Sequence, residues 1–203
     1  MQIIRDIIKR VNQELYSLQK QKGQDTPDMR KVSVIARYAR KYPDCKIFIE
    51  TGTYFGATPY ALKDTFRWLY TIELDEWLYK RAIRKFKDIH NVFCFNGDSV
   101  AILKRLLPTI KEPVIYWLDA HYSRGLTAKG NSCTPILKEL REICSHESVA
   151  SSVILIDDAD CFGTVDDYPE VNTIIWNLKL YLKGNYERME VVTTDNMIII
   201  KPK

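Results

Sequence analysis

Acidic residues recur where apolar runs of this chain give way to polar turns. They are Glu50; Glu73 and Asp75; Asp98; Asp119; and Asp157, Asp158 and Asp160. In an open parallel sheet, ligands bind beyond the carboxyl ends of the strands, near the switch in strand order. Acids placed at every strand end would therefore face one cleft. Chance placement at all of them would be unusual, so this row is the strongest sign of a functional site in the sequence. Carboxylates can accept hydrogen bonds from hydroxyl groups, hold hard cations and take protons.

The first of these acids opens the turn Glu50-Thr51-Gly52-Thr53-Tyr54-Phe55-Gly56. Glycine lets a ligand approach the backbone closely and accepts positive φ. A dinucleotide site prefers Gly-x-Gly-x-x-Gly, and Tyr54 breaks that spacing. Glu50 would also repel a pyrophosphate, whereas it can attract the cationic end of S-adenosylmethionine. Glu73 stands where an acid grips a ribose diol. The structural alternative is that Glu50 and Glu73 cap neighbouring helices.

Asp119 with the pair Asp157-Asp158 forms a second constellation. Three carboxylates in one cleft repel each other unless something compensates them. A hard divalent cation does so, and magnesium needs only a few carboxylates beside its waters. The alternative gives Asp157 a loop-capping role and Asp119 a salt bridge. His121 can serve as a general base, a further metal ligand or a hydrogen-bonded loop residue, with Asp119 as the rival base. The polar stretch from Tyr122 to Asn131 reads as a lid or binding loop, in which Arg124 and Lys129 can meet a phosphate or a polyhydroxylated substrate. A plain connector is the other reading.

These residues need a scaffold. Ile3, Ile4, Ile7, Ile8, Val11, Leu15 and Leu18 recur at spacings of three and four, which predicts an amphipathic helix stopped near Gly23. A second helix opens at Thr26-Pro27-Asp28 and runs towards Tyr42. Strands are expected at 46–50, 68–73, 91–95, 114–118 and 153–156. Helices are expected at about 57–66, 77–86, 99–107, 135–144 and 171–182. Two closing strands, 189–193 and 197–200, flank a hairpin turn at Thr194-Asp195-Asn196. Near-continuous apolar strands alternating with helices predict an α/β, Rossmann-like fold: a mostly parallel seven-stranded sheet with a C-terminal antiparallel hairpin and helices on both faces. One domain is expected over residues 1–203, with an N-terminal helical cap (1–44) and a core (45–203).

Bulk properties narrow the class. The 203 residues are 46% hydrophobic and 28% charged, an ordinary globular balance. No apolar run approaches the ~20 residues that span a bilayer, and the N-terminus lacks a leader pattern. A cytoplasmic protein without a membrane partner is expected. The net charge of +4 is mild. Its densest basic cluster, Lys80, Arg81, Arg84, Lys85 and Lys87, reads as a solvated helix face, so no nucleic-acid partner is expected. The five cysteines lack Cys-x-x-Cys spacing and read as reduced, mostly buried thiols. The N-terminal helices form a cap or a homodimer contact.

The succession of strands and helices ending in a hairpin resembles class I S-adenosylmethionine-dependent methyltransferases. More narrowly, Glu50 to Thr58 is similar to the first motif, Glu-x-Gly-x-Tyr-x-Gly-x-Ser/Thr, of metal-dependent O-methyltransferases of the catechol type. The resemblance implies that Gly52 and its neighbours Thr51, Thr53, Tyr54 and Gly56 line the methionine part of the cofactor. It implies that Glu73 holds the ribose hydroxyls and that Asp98 and Ser99 lie against the adenine. Thr58, Leu74, Gly97 and Asp119 complete the expected cofactor set.

Leu118-Asp119-Ala120-His121 and Ile156-Asp157-Asp158-Ala159 resemble the layout that holds magnesium (or manganese) in catechol-type and macrolide-sugar-type enzymes. A catechol-type enzyme has a lysine three residues after the first acid, where this chain has Tyr122. The stretch from Trp117 through Lys129-Gly130 to Thr134-Pro135-Ile136 is similar to small methyltransferases of surface-polysaccharide gene sets in bacteria and large algal viruses. That resemblance implies a sugar hydroxyl as acceptor, contacted by His121, Tyr122, Arg124 and Lys129. A phenol or catechol acceptor, nucleic-acid methylation and a non-catalytic S-adenosylmethionine-binding relative are the alternatives.

Overall fold

The computed structural model describes residues 26–119, 134–165 and 168–203. The expected first helix and His121, Tyr122, Arg124, Lys129 and Cys133 lie outside them. Among the described residues the strands are β1 (Ile47–Thr51), β2 (Trp68–Glu73), β3 (Val92–Asn96), β4 (Val114–Leu118), β5 (Val153–Ile156), β6 (Met189–Thr194) and β7 (Met197–Pro202). The helices are α1 (Met29–Lys41), α2 (Ala57–Leu62), α3 (Glu76–Phe86), α4 (Ser99–Leu106), α5 (Ile136–Cys144) and α6 (Val171–Leu182).

All the strands join one sheet in the order β3-β2-β1-β4-β5-β7-β6. β1 to β5 run parallel, and β7 lies antiparallel to both β5 and β6. The chain steps outward from β1 to β3 and then returns to β4 on the other side of β1. Connections at the carboxyl ends of β1 and β4 therefore leave in opposite directions and open a crevice.

Strand side chains alternate between two cores. Ile47, Ile49, Tyr116, Leu118, Ile154 and Ile156 pack with α4, α5 and α6. Phe48, Ile115, Trp117, Val153 and Leu155 face the opposite way, with α1, α2 and α3. Both faces are covered, which is why these strands read as continuous apolar runs. Burying each large aliphatic side chain contributes roughly 1.5–3 kcal/mol.

The expected limits of β2, β4, β5 and α6 match those observed. α2 is shorter than the helix expected to reach Phe66. After Leu62 the chain turns, with the Thr65 amide donating to the Leu62 carbonyl at 2.8 Å. That turn drops the Phe66 ring onto Phe48, centroids 5.1 Å apart, and lets the Arg67 amide donate to the Lys46 carbonyl just ahead of β1. A continuing helix would swing Phe66 away from this core. The closing hairpin turns on Asp195 and Asn196, at φ 53° and 57°. Such a two-residue turn matches the twist of the flanking strands, and Asp and Asn tolerate its left-handed backbone.

No helix of the described residues is long and apolar enough to cross a membrane. Cys45, Cys94, Cys144 and Cys161 are free thiols, and burial pushes Cys45 up to about 12.

Candidate functional site

The turn after β1 is held open by backbone geometry. Gly52 has φ 90°, Tyr54 φ 51° and Gly56 φ 66°. The Gly52 and Thr53 amides donate to the Ile72 carbonyl at 2.9 and 3.2 Å, and the Gly56 amide donates to the Thr53 carbonyl at 2.8 Å. These bonds tie the turn to the end of β2. Thr58 lies half-buried in the first turn of α2.

Glu50 is fully buried and accepts from the Thr71 hydroxyl at 2.7 Å. Thr71 and Thr53 share a further hydroxyl contact of 2.6 Å. β1–β2 register sets Glu50 opposite Thr71, so this relay follows from strand pairing. Burial pushes the Glu50 carboxyl well above the usual range; the Thr71 bond opposes this, and nearby Asp119 and Glu73 reinforce it. Glu50 thus sits within the sheet, and its nearest partner is a hydroxyl.

Glu73 links two segments. Its carboxylate accepts from the Tyr54 amide at 2.8 Å and the Asp75 amide at 2.9 Å. Burial raises its pKa, while these amide bonds lower it. A carboxylate has about four acceptor positions, more than these amides fill, which suits a diol. Two other acids at strand ends are helix caps. Asp75 accepts from the Leu78 amide, and Asp98 accepts from the Ala101 amide. The capping role expected as an alternative for Glu73 is filled by Asp75, and the helix after Glu50 has Gly56 at its N-cap, with no side-chain cap. Leu74 is exposed, Gly97 is half-buried at φ 140°, and Ser99 is buried at the start of α4.

The second constellation converges. Asp119, Asp157 and Asp158 each offer a carboxylate oxygen, and these atoms lie within 4.8 Å of one another. That span is close to the ~4–5 Å between oxygens on opposite sides of a magnesium- or calcium-sized ion. Asp157 is buried, and Asp119 and Asp158 are half-buried. Burial and the charge of Asp119 raise the Asp157 carboxyl, and Lys31 opposes them.

The turn behind the acid pair is specific. Asp158 sits at φ 54°, a left-handed conformation that aspartate tolerates better than most residues. Asn196 of the closing hairpin braces it: its carbonyl accepts from the Ala159 amide and its side-chain oxygen from the Asp160 amide, both at 2.9 Å. The hairpin therefore positions the carboxylates as well as completing the sheet.

Sequence reasoning missed three groups. Lys31 of α1 hydrogen-bonds and ion-pairs with Asp157. No local motif marks it, because it lies 126 residues from its partner. Tyr168 feels the charges of Asp119, Asp157 and Asp158, and its ring meets Phe162 edge-on at 5.2 Å. Arg81 and Lys85 correct the reading of the basic cluster as a solvated face. Arg81 stacks over the Phe55 ring at 4.8 Å, and Lys85 donates to the Phe55 carbonyl at 2.9 Å. Their four-residue spacing puts both on the helix side facing the glycine turn, whereas Lys80 pairs with Glu76 in solvent.

Glu139 of α5 is 1% exposed. Burial pushes its carboxyl up to about 7, against the lowering effect of the Ser99 and Thr51 hydroxyls. Because the folded value is raised, the folded state binds this proton more tightly than the unfolded chain. The associated stability is full below the ordinary carboxylate range and is lost as pH rises towards 7. The expected result is that Glu139→Gln removes this loss, so that the variant exceeds the natural protein by roughly 3 kcal/mol above pH 7. Denaturant midpoints between pH 4 and 8 measure it; parallel profiles would contradict the assignment.

No protein-family model matches the chain, and no curated protein matches it in sequence. Its three-dimensional structure does match solved ones. The SAH-bound methyltransferase PaMTH1 of Podospora anserina aligns with a TM-score of 0.59 at 18% identity, over 94% of this chain and 86% of that one. The O-methyltransferase TomG of Streptomyces achromogenes, involved in tomaymycin synthesis and solved with SAM, aligns at 0.60 and 15% identity, over 93% and 86%. The 23S rRNA methyltransferase ErmE aligns at 0.53 and 15% identity, over 88% and 69%. A shared fold leaves the acceptor open. This chain has the Rossmann-like class I methyltransferase fold, with its acids gathered at the reversal of strand order.

Proposed function

We propose that this chain is an S-adenosylmethionine-dependent O-methyltransferase, assisted by magnesium or manganese, that methylates a sugar hydroxyl of a glycan or sugar-bearing metabolite. One observation carries the reading: the glycine turn and the carboxylate cluster are bonded neighbours. The Asp119 amide donates to the Thr51 carbonyl at 3.1 Å, and the Asp157 amide donates to the Leu118 carbonyl at 3.1 Å. A methyl donor on the turn and a hydroxyl at the cluster would thus stand side by side.

S-adenosylmethionine, when bound, supplies an electrophilic methyl group. Gly52 and Tyr54, half-buried at positive φ, form the part of the turn that would face it, Gly56 shapes the turn from its buried side, and Glu73 offers acceptors to a ribose diol. Asp119, Asp157 and Asp158 form an all-oxygen donor set that fits a hard divalent ion. Such an ion, when bound, lowers the pKa of an acceptor hydroxyl and orients it. The chain's remaining task is alignment of oxygen, methyl and sulfur, and removal of one proton. Asp119 is one base for that proton and His121 the other. Tyr122, Arg124 and Lys129 are proposed acceptor contacts. The sugar acceptor is supported by the resemblance of the stretch from Trp117 to Ile136, and by the ability of neighbouring hydroxyls to share one ion.

A second reading, an aromatic diol as acceptor, is favoured by a specific observation. The Phe162–Tyr168 pair adjoins the acids, and Lys31 brings an amine to the cluster that local spacing did not supply. Calorimetry with S-adenosylmethionine and S-adenosylhomocysteine, followed by methyl transfer to glycosides and to catechols with magnesium or chelator, tests both readings. The expected outcome is binding of both cofactor forms and chelator-sensitive transfer to glycosides. Transfer to catechols alone selects the second reading, and failure to bind either cofactor form rejects both.

A further inference from the structure

We propose that Lys31 is the resident counter-ion of the carboxylate cluster and competes with a divalent ion for it, so that helix α1 sets the cation affinity of the site. This inference rests on the cluster being the metal site of the proposed function.

Among the described residues, the Lys31 ammonium is bonded to one of three converging acids. Lys31 bonds Asp157, and the charges of Asp119, Asp157 and Asp158 all act on it. These acids offer the oxygens that converge within 4.8 Å. An ammonium bonded to Asp157 occupies an acceptor position on that carboxylate that a metal ion would need. An ion entering beside it would meet a like charge at close range, a strong repulsion in a partly buried site.

The lysine is the mobile partner. Its side chain is 32% exposed, whereas that of Asp157 is 2% exposed. Lysine carries its charge on a flexible four-carbon stem, so it can withdraw towards solvent while the turn that carries Asp158 stays braced by Asn196. The ammonium lies over the buried Trp117 ring, 5.9 Å from its centroid. α1 is anchored independently of the ion pair: Ile35 and Tyr38 are buried in the core beside Trp117. Asp28 caps the helix by accepting from the Arg30 amide at 2.9 Å. Lys31 is therefore presented by a rigid element, and its removal leaves the helix in place.

The test is manganese(II) binding, followed by electron paramagnetic resonance of the full chain, for the natural protein, Lys31→Met, Lys31→Gln and Lys31→Arg. The two neutral variants are expected to bind manganese at least tenfold more tightly than the natural protein, with Lys31→Arg close to it. Without metal, the neutral variants are expected to melt lower, and manganese is expected to restore them. Equal or weaker binding by both neutral variants overturns the inference and leaves the metal reading intact. Binding by the neutral variants alone upholds the competition and removes the metal from the natural enzyme. Binding by none overturns both.

Discussion

Asp157→Asn is expected to lower the turnover of methyl transfer by roughly 10²–10³-fold, the several kcal/mol that metal-assisted activation of a hydroxyl is worth. Asparagine keeps the volume and one acceptor oxygen at a buried position between β5 and the Asn196-braced turn. It removes the charge that an ion needs and that Lys31 now neutralises. The glycine turn makes none of these contacts, so affinity for S-adenosylhomocysteine should stay within about threefold, well under one kcal/mol. The split is diagnostic: turnover collapses while cofactor affinity holds. Initial rates with and without chelator, beside calorimetry, measure both. Full activity that ignores chelator would remove the metal from the mechanism.

Gly56→Ala is expected to damage cofactor binding and stability together. Gly56 sits at φ 66°, and a Cβ there would lie 2.9 Å from the Cε2 and Cζ atoms of Phe86. Phe86 is buried in the core between the sheet and α3, so its ring has little room to yield. The left-handed backbone costs about 1–2 kcal/mol for a residue with a Cβ, and the overlap adds about 1–3 kcal/mol. In a domain of this size the melting temperature should fall by roughly 5–15 °C. Movement of the turn should weaken S-adenosylhomocysteine binding by about tenfold or more, since Tyr54 and Glu73 are bonded through it. Adding Phe86→Leu should recover the steric share and leave the backbone share. A double-mutant cycle with coupling below about 0.5 kcal/mol would show that the ring is not the obstacle.

The elements of this protein are legible because their signals are local. Strands buried on both faces read as apolar runs, and Asp28, Asp75 and Asp98 cap helices that begin just after them. The acids at the carboxyl ends of β1, β2, β4 and β5 could be placed at one end of the sheet from chain order alone, because parallel strands deliver all their carboxyl ends to the same side. The division of labour among those acids was not legible. Asp75 and Asp98 look like Glu73 in sequence, yet each meets amides of its own helix, whereas Glu73 reaches back to the Tyr54 amide of another segment.

The amino-acid sequence by itself determined the alternation of strands and helices, the closing hairpin with its turn within Thr194-Asp195-Asn196, and the convergence of Asp119 with Asp157-Asp158. Each depends on periodicity, on turn chemistry, or on the order of elements along the chain. Only the tertiary structure decided that Lys31 enters the carboxylate cluster, that Asn196 braces the turn behind it, and that Arg81 and Lys85 support the glycine turn. Those contacts join segments far apart in sequence, and strand order and helix packing bring them together. No local pattern of residues encodes such a meeting.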